Sequence, residues 1–159
     1  MLYCNYKDIL DKIDRQSLLA LVDEESEHSP DIFDLFIAGI FSTDHAQIKT
    51  IIEDAVDSAE SVVDSYCCGI YTLPFDPVPK IIKLITVDIT IYELFSRGQQ
   101  EVPEIRKNRY NNSIKLLEKF LKGEISLNIG TLETGLANDQ TVYISSNSSS
   151  FTEKNMVGF

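Results

Sequence analysis

IIKLITVDITIYELF, residues 81 to 95, is the stretch on which the fold turns. It is apolar on nearly every face, interrupted only by Lys83, Thr86, Asp88, Thr90 and Glu93. Its β-branched residues keep a strand reading open, because such side chains lose rotamer freedom in a helix. Length argues the other way, and Ile81, Ile85, Ile89 and Tyr92 recur at helical spacing, so the expectation is a helix buried on more than one side. Pro77 or Pro79 can begin it, since proline's missing donor costs nothing in a first turn.

Toward the N-terminus, Ile48, Ile51, Ile52, Ala55, Ala59, Val62, Val63 and Tyr66 recur every three or four residues. Glu53, Asp57, Glu60 and Asp64 take the other faces. This predicts a long amphipathic helix from Asp44 to Tyr66, with Thr43 or Asp44 capping its free donors. It ends near Cys67, Cys68 and Gly69, where YTLPFDPVP brings Pro74, Pro77 and Pro79 and cannot be helical throughout. Further upstream, IFDLFIAGIF (32–41) reads as a short helix or a strand, and Gly39 weakens either by about 1 kcal/mol. DEESEHSP (23–30) is an acidic loop, and Tyr6 to Val22 suits two short helical pieces broken near Asp14 to Gln16.

Toward the C-terminus, the polar turn SRGQQE precedes Val102, Pro103 and Glu104, which open a helix with an acidic first turn. Its predicted apolar stripe is Tyr110, Ile114, Leu117 and Leu121 with Phe120 beside it, and Lys119 and Lys122 precede Gly123. Beyond Gly123 helical periodicity stops. TVYIS (141–145) alternates like a strand, and serine and asparagine fill Ser145 to Ser150. The reading is an all-α protein, a small bundle of about four to five helices over residues 1–124, with a partly extended C-terminal arm over 125–159.

A chain of 159 residues has room for one core. Its 43% hydrophobic and 25% charged residues argue against disorder of the whole chain. The formal charge of -11 repels phosphate backbones, which opposes sequence-specific nucleic-acid binding. It still permits a wall past which double-stranded DNA slides as cargo. Cys4, Cys67 and Cys68 are an odd set whose adjacent pair is poorly placed for a disulfide, so a reducing setting is expected. The start MLYCNYKDILDK lacks a secretion signal, and no window reaches the roughly 20 apolar residues of a membrane span. A cytoplasmic setting and no membrane partner are the resulting expectations.

Chemistry is sparsely furnished. His28 falls in the acidic loop and His45 follows a helix cap, so both read as surface residues. Cys67 and Cys68 lack a second ligand pair for zinc. Glu53 and Asp57, one turn apart, read as a solvated helix face. The seven glycines form no phosphate-cradling loop. Asp88 stands on or beside an apolar stripe, where an unpaired carboxylate is costly; Arg106 or Arg109 is the expected partner. RKNRY, ending at Tyr110, reads as a helix face. No catalytic residue, cofactor or metal is expected.

An ordered series of motifs carries a resemblance. It runs from MLYCNYKDILDKI through VVDSYCCGIYTLPFDPVPKIIKLITVDITIYELF and RYNNSIKLLEKFLKGEISLNIG to FTEKNMVGF. Its most specific positions are Tyr66, Tyr71, Leu73, Pro74, Pro77, Pro79, Asp88 and Tyr92, then Arg109, Tyr110, Leu117, Gly123 and Leu127. In this series the chain resembles the family of phage and prophage proteins similar to the gp36-like protein of bacteriophage Mu, a family of unknown function. It departs from that family in carrying a longer, more apolar EESEHSPDIFDLFIAGIF between its first helices and the long one.

The resemblance implies a structural role in the virion, at the neck, by likeness to helical head-tail connector subunits. On that reading the partners are further copies of the chain in a ring, with portal, neck or tail proteins. The alternatives are a tail completion or terminator protein, or a small cytoplasmic regulator binding a host protein. Candidate interface residues are Glu53, Asp57, Glu60 and Asp64 as a channel wall, Asp88, Arg106, Arg109 and Tyr110 beside the central helix, and Phe151, Met156 and Phe159 in the arm.

Overall fold

A computed structural model describes residues 1–23, 28–98 and 101–127. Among the described residues six α-helices form: α1 (Tyr6–Leu10), α2 (Arg15–Val22), α3 (Ile32–Ile37), α4 (Ala46–Cys67), α5 (Lys80–Arg97) and α6 (Glu104–Leu121). No sheet forms among the described residues. The short α1, α2 and α3 account for a helix count above the expected four to five.

Capping explains the broken first segment. Asn5 accepts from the Asp8 amide while the Asp8 carboxylate accepts from the Asn5 amide, each at 3.0 Å. Asp14 then accepts from the Ser17 amide at 2.9 Å and starts a new helix after one turn. The stretch from Ile32 resolves as helix, and it stops where Gly39 adopts φ 74, a conformation other residues avoid. Gly123, at φ 70, follows α6 in the same way.

The expected cap of the long helix differs. Neither Thr43 nor Asp44 caps α4 with its side chain; a 3₁₀ turn, Thr43–His45, leads in instead, with the His45 and Ala46 amides donating to the Ser42 and Thr43 carbonyls. The Ser42 hydroxyl, which caps nothing, pairs with His45 Nδ1 at 3.0 Å.

The core shows how the long helices run. Ile48, Ile52 and Val56 from the start of α4 share one cluster with Val87, Ile91 and Leu94 from the end of α5. Ala59, Val63 and Cys67 share a second with Ile82, Ile85 and Ile89, and with Leu117 and Phe120 from the end of α6. So α5 runs antiparallel to both neighbours, and α4 and α6 run parallel. The small helices close the first cluster through Ile9, Leu18, Phe33 and Phe36.

The central helix is α5, as its sequence implied. Six of its apolar side chains, Ile82, Ile85, Val87, Ile89, Ile91 and Leu94, are buried, each worth about 1.5–3 kcal/mol relative to exposure. Thr86 and Thr90 are buried too, and their hydroxyls donate to the carbonyls of Ile82 (2.9 Å) and Thr86 (2.8 Å). Those bonds keep the buried hydroxyls satisfied. The stripe of α6 needs one correction: Ser113, Leu117 and Phe120 face inward and Leu121 is exposed. Positions 113, 117 and 120 follow the helical four and three spacing, which carries 121 past the core edge.

After α6 the chain returns to the body, where the Leu127 amide donates to the Tyr71 hydroxyl at 3.1 Å. The strand expected at TVYIS and the remainder of the arm lie outside the described residues.

Candidate interaction surfaces

The four α4 carboxylates expected to line a wall share one face at intervals of four, three and four residues. That face is largely occupied. Glu60 is buried, and its Oε1 accepts from the backbone amides of Leu2 and of Tyr3, the latter at 2.8 Å. Asp64 accepts from the Tyr3 hydroxyl, and Glu53 accepts from the Tyr6 hydroxyl at 3.2 Å. Glu53 also pairs with Lys49 at 2.9 Å. Asp57 is exposed, its carboxylate 3.6 Å from the Met1 nitrogen.

Glu60 is therefore turned inward, away from the outer faces on which the helical pattern put it. The reason is the demand of an extended segment, residues 1–4, that has no helix or sheet to bond its amides: a carboxylate accepting several N–H bonds is the strongest substitute available. Sequence periodicity had no signal for this, because the partner of Glu60 is 57 residues away. Tyr3 and Tyr6 record the same arrangement in their acidities. Burial first, then the adjacent carboxylates Asp64 and Glu53, push both phenols well above their ordinary range.

Asp88 is largely shielded, with Arg109 Nη1 3.7 Å from its Oδ1, so one of the two expected partners faces it. Arg106 is turned aside, donating to the Lys12 carbonyl at 2.9 Å. The Asp88 Oδ1 atom is buried without a hydrogen bond, and burial raises its pKa against the opposing pull of Arg109, Lys12 and Arg106. Tyr110 stacks on Tyr92 with ring centroids 4.1 Å apart, joining α6 to α5. Phe151, Met156 and Phe159 lie outside the described residues.

His28 and His45, far apart in sequence, meet edge to face at 5.3 Å. The His28 amide donates to Asp23 at 2.9 Å, and its Nε2 lies 3.2 Å from the Asp44 carbonyl oxygen. These contacts tie the two ends of the α3 excursion together. His28 Nδ1 lies 3.3 Å from Asp23 Oδ2 but makes no hydrogen bond, so proximity there is not a bond. No group of three or more His, Cys, Asp or Glu among the described residues is arranged to hold a metal ion. The cysteines are free; Cys4 and Cys67 are buried, and burial pushes their thiols up to about 12 and about 11.

One surface escaped the sequence reading. Leu35, Ile37, Ile40 and Phe41 are exposed together at the end of α3 and in the turn after it, with the Lys49 ammonium 4.9 Å above the Phe41 ring. A crowd of exposed large hydrophobics in one short segment is unusual for a surface that meets only water. The continuous apolar run at residues 35–41 was visible, but which of its side chains faced outward depended on how α3 packs. No helix among the described residues is long and apolar enough to cross a membrane.

Helices joined through apolar clusters, carboxylates spent on structural bonds and an exposed apolar turn define a class: a small helical protein with part of its apolar surface left uncovered. The family follows from comparison with known proteins. Residues 3–145 match the model of the family described as Bacteriophage Mu, Gp36, and the chain belongs to that family of phage and prophage proteins. It is also 32% identical over 88 residues to the Mu-like prophage FluMu protein gp36 of Haemophilus influenzae. That alignment covers 55% of this chain and 57% of the relative, so the chain spans little more than half the length of this curated relative.

Proposed function

We propose that the protein is a structural subunit of the phage particle, acting by protein–protein assembly at the neck where head and tail are joined. Membership of the Mu Gp36 family carries this reading, because it places the chain among phage and prophage proteins. The neck assignment adds likeness to helical connector subunits. Support from the fold is the exposed apolar segment of Leu35, Ile37, Ile40 and Phe41, which association would cover.

In this reading the rigid bundle is the body of the subunit and its exposed surfaces make the contacts. Glu60 and Asp64 bond within the subunit, whereas Asp57, although 3.6 Å from the Met1 nitrogen, keeps an exposed carboxylate that can meet a partner or face passing DNA. Electron microscopy of particles made without the protein tests the proposal. Filled heads without tails are expected; joined, infectious particles of normal form would overturn it.

A further inference from the structure

Charge is divided between the long helices. The outer stripe of α6, opposite its buried Ser113, Leu117 and Phe120, presents Lys115 and Lys119, and Lys122 extends it past the helix end; all three are exposed. None of the three has an ion-pair partner among the described residues, in a chain whose formal charge is -11. The outer stripe of α4, opposite Ile52, Val56 and Ala59, presents the exposed Asp54 and Asp57 in its first half, with Asp44 just before the helix. Asp54 and Asp44 likewise have no ion-pair partner there, while Asp57 lies 3.6 Å from the Met1 nitrogen and stays exposed. Of the other lysines, Lys49, Lys83 and Lys107 each sit on a carboxylate of their own subunit, while the exposed Lys7, Lys12 and Lys80 have no ion-pair partner among the described residues but do not line up on one helix.

We infer that the lysine stripe of α6 docks on the aspartate stripe of α4 in a second copy of this chain. Within one copy the two stripes cannot meet, because each lies on the side of its helix away from the shared core, and the core fixes both helices. Between copies the charges are complementary, and they replace the repulsion two strongly acidic chains otherwise feel. Small side chains follow the aspartates along α4, Ser58, Ser61 and Ser65, all exposed, so a neighbouring helix can approach closely.

The two surfaces differ, so the contact is head-to-tail. Each copy keeps one unused stripe of either sign, and addition continues until a ring closes or a filament grows. This rests on the assembly reading above but is separable from it: a protein needed to join head and tail need not use this contact, and the contact can form in a protein with another role.

Sedimentation equilibrium of the full chain at low ionic strength tests it, with circular dichroism confirming that each variant is folded. The wild-type chain is expected to self-associate, and salt to reverse it. Lys115→Glu with Lys119→Glu leaves acid on both stripes, and Asp54→Lys with Asp57→Lys leaves base on both. Each double variant alone is expected to lose association by about tenfold or more. Mixed, the two are expected to bind each other, and all four changes in one chain to restore self-association. A wild-type chain monomeric at every concentration, or folded variants that ignore each other on mixing, would overturn the inference.

Discussion

Replacing Glu60 by alanine removes the acceptor for two main-chain donors at once. In the native protein this carboxylate is 5% exposed and takes the amides of Leu2 and Tyr3. Hydrogen bonds to a charged group are each worth about 1.5–3 kcal/mol, so the gross loss is about 3–6 kcal/mol. Water recovers part of it at the Leu2 amide, which is only partly buried, whereas the Tyr3 amide is buried. The expected net cost is about 3 kcal/mol, a large share of the roughly 5–15 kcal/mol that holds a domain folded. Equilibrium urea denaturation reads this as a fall in midpoint of about 1.5 M at a slope near 2 kcal/mol/M. Glu60→Gln keeps a neutral acceptor and should lose about half as much. Asp54→Ala, on the exposed face of the same helix, should change stability by less than about 0.5 kcal/mol. A Glu60→Ala protein within about 0.5 kcal/mol of wild type would refute the argument that this residue secures the N-terminal segment.

Other consequences follow from the same packing. Tyr3→Phe removes the bond to Asp64 but leaves that carboxylate able to hydrate, so a loss of about 1 kcal/mol is expected by the same denaturation assay. Because the folded state raises the pKa of Tyr3 and of Tyr6, the stability they contribute is complete below the ordinary phenol value of about 10 and declines as pH rises above it. Ultraviolet titration should accordingly show two tyrosines that ionise only with alkaline unfolding. At mildly alkaline pH a thiol reagent should label Cys68 rapidly and Cys4 and Cys67 only after denaturation, since both are buried and their thiols are held protonated. For Asp88 the raised pKa means the folded state binds a proton more tightly than the unfolded one, so this group favours folding more as pH falls. Asp88→Asn should therefore be within about 1 kcal/mol of wild type at neutral pH, and thermal melts showing a loss of several kcal/mol would contradict it.

The long helices were legible because their burial is periodic. Ile81 to Phe95 read as a central helix from its apolar residues on nearly every face, and α5 is buried in that way. The break between α1 and α2 was legible from Asp14, a residue whose side chain competes for backbone donors. What escaped was long-range. Glu60 reads locally as one more acid on a helix surface, and only the return of residues 2 and 3 across α4 makes it an internal acceptor. The α3 segment was ambiguous for a related reason: six residues are too few for periodicity to choose between structures, and packing of Phe33 and Phe36 decides. His28 and His45 could be assigned to no frame from sequence, and their meeting depends on the path of the α3 excursion. Asp88 illustrates partial success, because the cost of burying it named its partner while the geometry chose Arg109 over Arg106.

The claim on which the functional account depends is that this protein ends up as a fixed part of the particle. Quantitative mass spectrometry of extensively purified virions addresses it directly. The account predicts the chain in a constant ratio to the portal protein from one preparation to the next, at several copies per particle. Its absence from particles, with the protein recovered only from the infected-cell lysate, would contradict the account and return the weight to a regulatory role.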